Sequence, residues 1–208
     1  MTITLDGTLG ITAPAPEVLQ GSTSGSITLA VPAVAGSNTI TFPAVTGSLV
    51  VAGQTSAITS GTSQASTSGT SIDFTSLPST VKRITVMLNG VSTSGTSAVQ
   101  VQLGTSGGVT TTGYVSQVSN SSTLITSTTG LVIWGALATD TRVGVMVITN
   151  ITGNTWICSG LNFSSASANG NGNFSGIIAL SGVLTSVRIT TVNGTDTFDA
   201  GSVNILWE

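Results

Sequence analysis

The apolar residues of this chain come in short runs broken by turn signals. No window of eleven or more residues shows the 3.6-residue apolar period with helix caps at its ends. That pattern removes helical folds and leaves strands. Val99-Gln100-Val101-Gln102-Leu103 alternates, which predicts aliphatics inward and glutamines outward. Within 142–149, Val143, Val145 and Val147 share one face. Arg83–Leu88 runs into Asn89-Gly90 and Val187–Val192 into Asn193-Gly194, the dipeptide that most favours a tight hairpin. Thr155–Phe163 carries Trp156 and Cys158, and Gly176–Leu180 is apolar. The last strand, Ser202–Trp207, sets Val203, Ile205 and Trp207 on one side and Leu206 on the other, a hint of burial on both faces. Strands this short and this closely spaced predict an all-β fold, with an antiparallel jelly-roll-like β-sandwich over residues 71–208.

Residues 1–54 are different. They hold four of the five prolines, only Asp6 and Glu17 as charges, and no Trp, Tyr, Lys or Arg. A short repeat runs through them. Ile27-Thr28-Leu29 leads after two residues to Pro32-Ala33-Val34-Ala35-Gly36, and Ile40-Thr41-Phe42 leads directly to Pro43-Ala44-Val45-Thr46-Gly47. Each unit reads as strand, Pro corner, short strand and Gly turn, because Pro blocks ladder pairing and Gly permits a positive φ. Such a unit buries its apolar face by stacking or by winding with other chains. The region is therefore expected to be an extended, fibrous β segment. Residues 55–70, rich in Ser, Thr and Gly, read as a linker or equally as an exposed first strand.

Charged residues are 5% of the chain, against roughly 25% in an average soluble domain. With 39% hydrophobic residues and a net charge of -3, the composition is not that of a disordered chain. A monomer with so few charges resists self-association poorly, so copies of the chain are expected to cover one another's sides.

Chemistry is limited by what is missing. There is no histidine, which removes the commonest general base and every Ser-His triad. Cys158 is the only cysteine, so a disulfide within the chain and a cysteine zinc site are both ruled out, and a buried, inert thiol is expected. Lys82 is the only lysine and no phosphate-cradling Gly-x4-Gly-Lys loop exists. Four basic residues and a pI near 4.5 leave nothing to neutralise nucleic-acid phosphates. No apolar run is long enough to span a membrane. The N-terminus Met1–Asp6 lacks the basic and apolar regions of a signal peptide, so synthesis in a cytoplasm is expected, with work outside one only as part of an assembled particle released by lysis.

The reading is of a non-enzyme with no catalytic residue, no metal and no cofactor. The one chemistry that composition leaves open is sugar cleavage, which needs two carboxylates about 5 to 10 Å apart. Asn193–Asp199 looks faintly like a calcium loop, but an Asn-Gly turn with Asp side chains capping backbone N–H groups is the favoured reading. The sequons at Asn120, Asn150, Asn162, Asn173 and Asn193 are read as unglycosylated, chance products of a Ser/Thr-rich chain. Tyr114, Trp134, Asp140 and Arg142 are the candidate glycan-binding residues, since rings stack on sugars and carboxylate and guanidinium groups bind hydroxyls. Trp156 and Trp207, in regular strands, are expected to pack in the core.

The stretch Gly69–Tyr114, which includes Ser-Ile-Asp-Phe-Thr-Ser-Leu-Pro and Arg-Ile-Thr-Val-Met-Leu-Asn-Gly, resembles a domain of tail-fibre and other virion proteins of tailed bacteriophages. The C-terminal Val187–Glu208, with Thr-Asp-Thr-Phe-Asp-Ala-Gly-Ser-Val-Asn-Ile-Leu-Trp, carries the same resemblance. The Ser-Gly-Ser-Ile-Thr-Leu and Pro-Ala-Val-Ala-Gly segments look like fibre stems. The resemblance implies a homotrimer on the virion surface, synthesised in the bacterial host cytoplasm. Residues 1–54 would attach to other phage proteins, and the C-terminal domain would be displayed toward a host-surface glycan or protein. A short tail fibre fits this, and so does a capsid cement or decoration protein.

Overall fold

The computed structural model describes residues 58–119, 124–134, 137–164 and 171–208, together with the backbone of 17–20 and 26–29. The chain divides into two units, Met1–Leu49 and Val50–Glu208. In the first, β1 (Glu17–Gln20) pairs antiparallel with β2 (Ser26–Leu29). The expected strand Ile27–Leu29 falls in β2; the rest of the Pro/Gly repeat lies outside the described residues.

The second unit is all-β, with antiparallel pairing and no helix among the described residues. Its strands open with β3 (Thr59–Ser60), β4 (Gln64–Ala65), β5 (Ser71–Phe74), β6 (Arg83–Thr93), β7 (Val99–Thr105) and β8 (Gly108–Val109). There follow β9 (Val115–Ser119), β10 (Leu124–Ser127), β11 (Leu131–Trp134), β12 (Arg142–Thr152) and β13 (Thr155–Ser164). The chain ends with β14 (Asn171–Ala179), β15 (Leu184–Thr191) and β16 (Phe198–Trp207).

Nine strands form one sheet in the order β10-β9-β14-β13-β12-β6-β16-β3, with β4 also on β16. Five form the other, β11-β7-β15-β5 with β8 on β7. The sheets sandwich one apolar core, to which the larger gives Ile84, Val86, Met146, Ile148 and Ile205 and the smaller gives Val101, Leu103 and Ile189. Each such side chain contributes about 1.5–3 kcal/mol by leaving water. The 55–70 stretch supplies β3 and β4, and the Ser66 hydroxyl donates to the Ala200 carbonyl at 2.7 Å.

Two sequence expectations change in the structure. Asn89-Gly90 is not a hairpin. It sits inside continuous β6, where Gly90 takes φ 64° and adds one residue relative to β12, so that Leu88 faces Gly144 but Val91 faces Arg142. The inward positions accordingly step from Ile84, Val86 and Leu88 to Val91, the parity change a β-bulge produces. Asn193-Gly194 does turn the chain, with the Gly194 N–H bonded to the Thr191 carbonyl.

The glutamines of β7 do point away from the core, yet they too are buried. The 127–130 turn folds over them. Gln100 Oε1 accepts from Ser127 Oγ (2.9 Å) and Thr129 Oγ1 (3.0 Å), and Gln102 Nε2 donates to the Thr129 carbonyl (2.8 Å). Buried amides need such partners.

Candidate functional site

Every residue expected to face a glycan lies inside the protein. Tyr114 is 1% exposed, Trp134 2%, Asp140 3% and Arg142 8%, so neither ring offers a free face for a sugar to stack on. The structure gives them other work. The Tyr114 hydroxyl accepts from the Leu103 N–H at 2.7 Å and donates to the Thr110 carbonyl at 3.1 Å, and burial pushes its pKa up to about 12.

Trp134, Asp140 and Arg142 do come together, at a separate place. Arg142 Nη2 donates to Asp140 Oδ2 (2.9 Å) and Nη1 to Asn162 Oδ1 (3.1 Å), with the guanidinium 6.0 Å from the Trp134 ring centroid. Asn162 Nδ2 donates onward to the Ile133 carbonyl at 2.7 Å. The cluster thus ties β11 of the smaller sheet to β12 and β13 of the larger. Burial lowers the guanidinium pKa, and the charge and hydrogen bond of Asp140 oppose that shift. Arg142 begins β12, where the alternation turns it inward, and the buried Asn162 sequon is part of the cluster.

The Asn193–Asp199 loop has the hydrogen bonds of a capped turn. Asn193 Oδ1 accepts the N–H groups of Thr195 and Asp196, while Asp196 accepts from Asn193 Nδ2 and the Ser97 N–H. These donors hold the Asp196 pKa below the ordinary carboxylate value, Asn193 first. Among the described residues no cluster of three or more Asp, Glu, Cys or His side chains could hold a metal. Cys158 is buried, which pushes its pKa up to about 12.

What the structure exposes is apolar. On the outer face of the nine-stranded sheet, Val143 stands opposite Phe163 and Val145 opposite Leu161, forming a ridge. Further along the same face Ile157, Ile177 and Val115 lie in one cross-strand row. Leu161 is 64% exposed, Phe163 54% and Val115 70%. From Val115 to Ala179 the only charged residues are Asp140 and Arg142, both buried, so the part of this face made by β9, β14, β13 and β12 carries no charge; Arg83 of β6 and Asp199 of β16 lie beyond it. An open depression of about 530 Å³ lies on it, lined in part by Val115, Gln117, Ile157, Ser175 and Ile177. A second groove, about 370 Å³, includes Gln64, Asp73, Thr75 and the half-buried Trp207 in its lining.

The signal for the apolar face was in the sequence. β12 is apolar at both parities, with Met146 and Ile148 turned inward and Val143 and Val145 outward. Strands buried on both faces read as apolar at both parities, and β12 has that pattern although its outer side chains are exposed.

No family model, curated protein or solved structure matches the chain.

Proposed function

We propose that this chain is a structural protein of a bacteriophage virion, a short homotrimeric tail fibre whose C-terminal domain is displayed toward the host surface. The observation that carries the reading is the set of exposed apolar side chains on the uncharged β9-β14-β13-β12 part of the outer face of the nine-stranded sheet. Soluble monomers rarely leave so large a contiguous apolar patch in water, and such patches mark interaction surfaces. The resemblance of 69–114 and 187–208 to virion domains supplies the particle, with residues 1–54 attaching to other virion proteins. Repeated crossing of the chain between sheets, as at β6 to β7 and β15 to β16, supports a jelly-roll-like sandwich.

The non-enzymatic reading is supported by how the described carboxylates are used. Four of the five described carboxylates are so used: Asp73 pairs with Arg188, Asp140 with Arg142, Glu208 with Arg83, and Asp196 caps its own loop, while Asp199 is exposed. For host contact, the groove at Trp207 combines an aromatic ring with amide and hydroxyl groups, the chemistry that suits an uncharged glycan.

One observation favours a capsid cement or decoration protein as the second reading: burial of Tyr114, Trp134, Asp140 and Arg142 takes away the glycan face that the sequence had offered. Copy number on purified virions, read from a quantitative gel, separates the two. A fibre gives a few copies per tail, whereas a cement protein approaches the number of capsid subunits. Absence from the virion defeats both.

A further inference from the structure

We infer that the outer face of the nine-stranded sheet is a self-interface, with the Leu161–Phe163 ridge of one copy seated in the Val115–Ile157–Ile177 depression of the next. This rests on the assembly reading above and names the surface that carries it.

Three observations choose a second copy of the chain as the occupant. The first is charge. A partner with a charged surface would lose the hydration of those groups against a face that offers no ion in return, and the β9-β14-β13-β12 part of this face offers none. A second copy of the same face brings only aliphatic, aromatic, hydroxyl and amide groups.

The second is size. β9, β12, β13 and β14 lie side by side, and at about 4.8 Å per strand and 3.3 Å per residue along ten-residue β13 they span roughly 600 Å² in projection. That is comparable with the roughly 800 Å² per partner of a stable protein interface.

The third is shape. Alternation along β13 sends Ile157, Leu161 and Phe163 to the same side. Phe163 belongs to the ridge, and Ile157 lines the depression six residues away, about 20 Å along the strand. One face thus carries both a projection and a hollow. A ridge that enters the hollow of the next copy is a head-to-tail contact, and such contacts close into rings when the rotation permits.

Light scattering on the full chain at micromolar concentration is the first measurement. A monomeric mass removes the assembly reading and this interface together. With an oligomeric wild type, Leu161→Asn/Phe163→Asn is expected to give a monomer that keeps the wild-type far-ultraviolet circular dichroism. An unchanged mass overturns the interface while the assembly reading stands; covering of the face by residues 1–57 of the same chain gives that result too.

A second variant keeps the test independent of folding losses. Phe163→Cys/Ile177→Cys on a Cys158→Ala background is expected to form disulfides between chains under mild oxidation, giving a covalent ladder on a denaturing gel. The two positions are too far apart to join within one chain. No ladder from an oligomeric sample overturns the interface.

Discussion

Gly201 of β16 presses directly on Gly90 of β6. A Cβ built on Gly201 lies 2.5 Å from the Asn89 carbonyl oxygen and closer still to that of Gly90, and both glycines hold positive φ, 90° and 64°. Two irregular backbones meet here, and the contact explains why Asn89-Gly90 bends a strand that continues.

Gly201→Ala should therefore cost about 2–4 kcal/mol, since it combines left-handed strain with a backbone collision. Gly90→Ala meets no atom within 4 Å and should cost about 1–2 kcal/mol, the conformational part alone. Urea unfolding midpoints of the two variants check this, and equal losses would show that the collision is relieved elsewhere.

The buried pair of Arg142 and Asp140 predicts an asymmetry. Asp140→Asn leaves a buried guanidinium without its counter-charge and should cost about 3–5 kcal/mol. Asp140→Asn/Arg142→Met removes both charges and should cost less than the single change. Chemical denaturation of both variants gives the comparison. A double variant less stable than the single would place the main role of Arg142 in packing.

Tyr114→Phe deletes the acceptor of the buried Leu103 N–H and should cost about 1–3 kcal/mol. It should leave the host-surface binding proposed above unchanged, because the ring is covered. A fall in adsorption with wild-type stability would restore Tyr114 to a binding role.

Cys158 should not react with a thiol reagent at neutral pH until the domain unfolds, and its labelling rate should follow unfolding as urea rises. Alkali acts in a defined direction. The unfolded thiol ionises near its ordinary 9.0 while the folded one is held up to about 12, so the unfolded chain loses its proton first. Stability should then fall as pH rises through that window. Cys158→Ser should lessen the fall, and an identical pH curve would assign it to other groups.

Asp196 works the other way. Its folded pKa lies below the ordinary 3.8, so its contribution is complete above that value and is lost as pH falls through the folded pKa. Protection factors of the Ser97 and Thr195 amides, which remove the intrinsic pH dependence of exchange, should fall in that acid range, and in Asp196→Ala at neutral pH. Exchange indifferent to both would mean that Asn193 alone holds the turn.

Much of this protein was legible along the chain. Alternation marked Val99, Val101 and Leu103, and Val203 and Ile205, as inward correctly, because period-two geometry is local, while Trp207, expected in the core, is only half-buried against it. The glycan candidates were misplaced for a related reason. A Tyr in a turn and an Asp-x-Arg beside a strand look exposed in sequence, and what covered them was brought by distant strands.

The sequence by itself determined the class of fold and the poverty of reactive groups, because strand periodicity, turn chemistry and the absence of histidine belong to each segment alone. Tertiary structure decided which apolar parity faced the core. β12 and β13 are apolar on both sides, and strand order turned Met146, Ile148, Trp156 and Cys158 inward, leaving Val143, Val145, Leu161 and Phe163 outside. Sheet pairing must bury one face and leave the other, so the exposed apolar surface was a property of strand order that no single segment contained.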